Sequence, residues 1–63
     1  MNTKTPAYQM LVLHAVELAY MDRNGVDYVA GLVVESHSQT ITDRLEFKAD
    51  VRKAYSAAHP WKP

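Results

Sequence analysis

No cysteine occurs in these 63 residues, so disulfide stapling and thiolate metal sites are excluded. Net charge is also missing: seven basic residues balance seven acidic ones. That balance argues against a chain that binds nucleic acid by charge over its whole surface. There is no bilayer-length apolar run either. The apolar stretch from Ala7 to Met21 is interrupted by Gln9, His14 and Glu17 and is too short to span a membrane. No basic leader with a small-residue cleavage site precedes it, so the expected location is cytoplasmic, with the chain intact from Met1. The three histidines, His14, His37 and His59, share no compact ligand spacing such as i, i+4. No metal and no cofactor is expected.

A chain this short forms one domain and buries a limited fraction of its surface. With disulfides and metals set aside, self-association is the expected source of extra stability. The charges are divided along the sequence. Residues 1–43 hold Lys4 and Arg23 against Glu17, Asp22, Asp27, Glu35 and Asp43, a balance of −3. Residues 44–63 hold Arg44, Lys48, Arg52, Lys53 and Lys62 against Glu46 and Asp50, a balance of +3. Solvated faces that help opposite ends or subunits meet explain this split most simply.

The first element is a helix. Residues 1–4 read as a frayed polar start. Thr5 can cap and Pro6 suits the first helical position, while Asn24–Gly25 supplies the stop, so the helix runs to about Arg23. At about 100° per residue, Tyr8, Leu11, Val12, Ala15, Val16, Leu18 and Ala19 share a broad apolar arc. Met10, His14, Glu17 and Met21 lie opposite, with Leu13 and Tyr20 on the border. A helix apolar nearly all round is covered on more than one side.

The middle of the chain reads as a hairpin. Val26, Tyr28, Ala30, Leu32 and Val34, then Ile41, Leu45 and Phe47, alternate with polar positions at a period of two. Strands over Val26–Glu35 and from Thr40 to Phe47 or Lys48, joined by Ser36–Gln39, pair Val34 with Ile41, Ala30 with Leu45, and Tyr28 with Phe47. Two features strain this reading: Leu32 falls opposite Asp43, and Val29 and Val33 land on the polar face. From Ala49 the spacing of Val51, Ala54, Tyr55 and Ala58 is helical; Pro60 stops that helix and Trp61 folds back. The expected fold is therefore α+β: helix, two-stranded antiparallel β-hairpin, helix (αββα). The alternative is an all-α three-helix chain, in which Asp43 and Glu46 form a capping box and a helix runs 43–58. Against it, Arg44 would enter the apolar arc and Leu45 would leave it.

Several clusters invite a chemical reading, and each has a plainer one. His14 with Glu17 at i+3 could exchange protons, but no nucleophile or third member accompanies them. Asp22–Asp27 faintly resembles a calcium loop, yet the position that needs a distal Glu is Val33. Ser36, His37 and Ser38 set hydroxyls beside an imidazole on a loop tip that supplies no orienting group. No catalytic residue is assigned. Arg44, Lys48, Arg52 and Lys53 form the basic cluster, followed by Tyr55, His59 and Trp61, a pattern that can track phosphates. Glu46 and Asp50 interrupt it, so nucleic acid ranks below protein as a partner. The stronger signal is surplus apolar surface. Met10, Leu13, His14, Glu17, Tyr20 and Met21 on the first helix, with Val29 and Val33 on the sheet, are the candidate protein interface. The expected function is a non-catalytic homodimer that binds an unidentified protein and regulates or inhibits it. Small free-standing chains of phage or mobile-element type often act this way.

Overall fold

The computed structural model describes residues 4–58, which form three helices: α1 (Pro6–Met21), α2 (Val26–Ser36) and α3 (Arg44–Ala57). Each packs against the other two. No strand occurs among the described residues, which corrects the αββα expectation and matches its all-helical alternative. The expectations for residues 1–3, His59, Pro60, Trp61 and the last two residues lie outside the described residues.

α1 begins as its sequence dictates. Thr5 is in extended conformation and its Oγ1 accepts from the Tyr8 N–H at 3.1 Å, with Pro6 as the first helical residue. The helix ends two residues before Arg23. Asp22 Oδ1 accepts from the Asn24 N–H at 2.7 Å, and this local turn draws the chain out of the helix. Gly25 then sits at φ +106°, ψ 167°, a conformation rarely open to side-chain-bearing residues, and caps the start of α2.

The hairpin fails because the Val26–Val34 run satisfies two periods at once. Seven of its nine residues are apolar, so alternation is found there whatever the structure. The helical set within it is Val26, Val29, Ala30, Val33 and Val34, spaced i, i+3, i+4, i+7, i+8. Folding as a helix buries Val29 and Val33, the two residues a strand would leave on the polar face, to 2% and 5% exposure. In exchange Tyr28 and Leu32 turn half outward. The second supposed strand divides at Asp43. Ile41 stays in the connection with its side chain buried, and its N–H donates to the His37 carbonyl at 2.9 Å. Asp43 Oδ1 accepts from the Glu46 N–H at 3.0 Å and opens α3. Arg44 is the first helical residue and reaches solvent at the helix end; Leu45 does point away from the core.

The core joins Tyr8, Val12, Ala15, Val16 and Ala19 of α1 to Val29, Ala30, Val33 and Val34 of α2 and to Ile41, Phe47 and Val51. Ala15 and Ala30 are fully covered, and these small residues permit close approach between helices. Phe47 is the one large ring at the centre, and Tyr8 meets it edge-on at 5.5 Å between centroids.

Candidate interaction surface

Burying Tyr8, Val12, Ala15, Val16 and Ala19 commits one side of α1 to the core and fixes what the other side shows. Outward lie Met10, Leu13 and Met21, exposed by 70%, 60% and 81%. His14 and Glu17 lie among them, both exposed, with no hydrogen bond or ion pair to any described residue. Tyr20 closes one edge, its ring 5.4 Å from that of Tyr55, and Leu18 borders the other at 36% exposure. The six α1 residues singled out in the sequence therefore share one continuous outer face. Val29 and Val33, the two expected from a sheet, do not join it. They are core residues of α2, and no partner reaches them in the folded chain.

The sequence reading missed Tyr28 and Leu32, half-exposed at i, i+4 along the outside of α2, and Leu45, 73% exposed at the start of α3. Their signal was present. Once 26, 29, 30, 33 and 34 are taken as the buried stripe, 28 and 32 are the apolar positions left over. Beside this ridge runs a shallow groove lined by Asp27, Gly31, Glu35, Arg44 and Lys48.

The basic cluster is divided by the fold. Arg44 and Lys48 border the α2 groove, whereas Lys53 borders a different hollow with Lys4, Gln9 and Asp50. Arg52 is engaged: its guanidinium donates to Asp27 Oδ1 at 2.7 Å. This pair joins the acidic part of the sequence to the basic part, α2 to α3.

The most developed polar arrangement joins the N-terminal segment to α3. Lys4 Nζ lies 2.8 Å from Glu46 Oε2 and 3.0 Å from Asp50 Oδ2, and 5.6 Å from the centre of the Tyr8 ring. The Tyr8 hydroxyl donates to the same Asp50 oxygen at 2.7 Å. Lys4, expected in a frayed start, is held by these pairs. Burial and then the bond to Asp50 push the Tyr8 phenol above its usual range. The bonds to Glu46 and Asp50 hold the Lys4 ammonium well above its own. Burial acts against the Asp50 carboxylate, but the bonds from Tyr8 and Lys4, with the charges of Lys4 and Lys53, outweigh it, and its carboxyl lies below the ordinary value. Every member has a partner, so the group fits a structural clasp.

His37 ends α2, its N–H donating to the Val33 carbonyl at 3.0 Å. Ser38 and Gln39 follow in a turn, and among the described residues no Asp or Glu lines the hollow beside the imidazole. Among the described residues no three His, Asp or Glu side chains gather to hold a metal ion. No helix among them is long and apolar enough to cross a membrane. No family model matches this chain, and no curated protein or solved structure matches it either.

Proposed function

We propose that this chain is a non-catalytic protein-interaction module that self-associates through the outer face of α1 and regulates or inhibits another protein. The observation that carries the reading is the side-by-side exposure of Met10, Leu13 and Met21 on the one helix side the core does not use. Large apolar side chains clustered in this way mark contact surfaces, and Met adapts readily to a partner. With that face occupied by a second copy, the Tyr28–Leu32 ridge and its charged border remain for the target. A cytoplasmic setting belongs to the same reading and rests on the cysteine-free sequence.

Sedimentation at micromolar concentration tests it. The expected native mass is about two chains, and Met10→Lys with Leu13→Lys is expected to return one chain at unchanged helicity, because both residues point away from the core. A parent chain that sediments as a well-folded monomer sinks self-association.

The second reading is a small nucleic-acid-binding regulator. It draws on Arg44, Lys48 and Arg52, which recur at i, i+4, i+8 along α3. Arg44→Glu with Lys48→Glu spares the Arg52–Asp27 pair and abolishes salt-dependent binding if this reading holds. Self-association through the outer face of α1 is indifferent to that change, since Arg44 and Lys48 border the α2 groove instead.

A further inference from the structure

Along the outer face of α1, Met10, His14, Glu17 and Met21 are spaced four, three and four residues apart. That is the spacing of the seam positions of two helices packed along their length. The four are also symmetric about a point between Ala15 and Val16. Met10 and Met21 are equally far from that point, and so are His14 and Glu17. When two identical helices cross antiparallel about a two-fold axis there, each residue shares its layer with its mirror position on the other copy.

We propose that the outer face of α1 is occupied by the same face of a second copy in this antiparallel register. It rests on the self-association proposed above and adds the identity of the paired residues. His14 of each copy meets the partner's Glu17, and Met10 of each meets the partner's Met21. Leu13 and Leu18 flank the seam on its two sides. Charge complementarity selects this arrangement. A parallel pair sets Glu17 against Glu17 and His14 against His14 in the centre of an apolar seam, where like charges repel and neither acid finds a donor. The antiparallel pair supplies each carboxylate with an imidazole N–H. Within one chain the two groups make no such bond, so both are available for it.

The absence of native cysteine makes the register directly readable. A nitrogen-15-labelled Met10→Cys chain and an unlabelled Met21→Cys chain are mixed in equal amounts, equilibrated and oxidised. Mass spectrometry then reads which disulfides form. The expected product is the mixed-mass dimer, with little self-linking of either chain. Predominant self-linking of the Met10→Cys chain overturns the antiparallel register while leaving the dimer in place. Sedimentation of the same chains before oxidation separates the two ideas, since a monomeric mass overturns the dimer and the register together. A charge test adds a second readout. His14→Glu sets two carboxylates face to face and is expected to raise the dimer dissociation constant about tenfold, and His14→Glu with Glu17→His is expected to restore it. Failure of the double variant to recover, with helicity intact, removes the His14–Glu17 pairing.

Discussion

Gly31 sits in the middle of α2 without needing glycine's conformational freedom, since Gly25 is the one glycine at positive φ. A Cβ built at Gly31 meets the Lys48 side chain, its Cε at 3.8 Å and its Nζ at 3.9 Å, which is ordinary van der Waals contact. Alanine is the better helix former, and it reduces the freedom of the unfolded chain. Gly31→Ala is therefore expected to stabilise the protein by about 0.5–1 kcal/mol in urea denaturation. The result bears on the fold as well. In a strand reading, position 31 marks a bulge or a close approach, where an added methyl gains nothing. Single residues also show where the sequence was hard to read. Val26, Ala30 and Val34 belong to either period, and only the burial of Val29 and Val33 settles which one the chain obeys. The α1 face was easier, because its apolar residues are interrupted often enough by Gln9, His14 and Glu17 to fix one phase.

At the scale of elements, the chain announces its helix starts more clearly than its helix bodies. Thr5–Pro6 and Asp43 are both N-terminal signals, and both caps form. For α3 the signal competed with a run of alternating residues from Thr40 to Lys48, and alternation is a weak discriminator where a loop, a cap and a helix start adjoin. Only half of the expected capping box is made. Asp43 accepts from the Glu46 N–H, but the Glu46 carboxylate turns to Lys4 instead of reaching back to the Asp43 N–H. Asp43 thus acts alone as the cap. Asp43→Ala is expected to cost about 1 kcal/mol, and Asp43→Asn or Asp43→Ser much less, measured by thermal or urea unfolding. Equal losses for all three substitutions would mean that the carboxylate contributes through something other than capping.

For the whole molecule, the Lys4–Tyr8–Glu46–Asp50 group decides how stability responds to pH, because it ties the chain before α1 to the body of α3. Asp50 has a folded-state value depressed below the ordinary 3.8. Its contribution is therefore complete above that value and is lost as pH falls through the lower, folded one. Tyr8 is shifted the other way. A group raised above its ordinary 10.0 contributes fully below that pH and loses its contribution as pH rises towards the folded value. Lys4, raised above 10.5, adds to the same alkaline limb. From these groups the expected profile is a plateau from about pH 4 to 10 with a fall on each side. Tyr8→Phe keeps the ring against Phe47 and removes only the hydroxyl. It is expected to cost about 1.5–3 kcal/mol at neutral pH, the worth of one hydrogen bond to a charged group. It should also make the acid limb shallower, because Asp50 loses the bond that most strongly favours its ionised form and its folded value moves back towards the ordinary one. At the alkaline end the variant should fall less steeply, having no phenol to ionise. Melting curves of parent and variant from pH 2 to 11 test all three effects together. An unchanged acid limb would show that Tyr8 and Asp50 do not share that hydrogen bond in solution, and α1 would then be held to α3 by the apolar core and Lys4 alone.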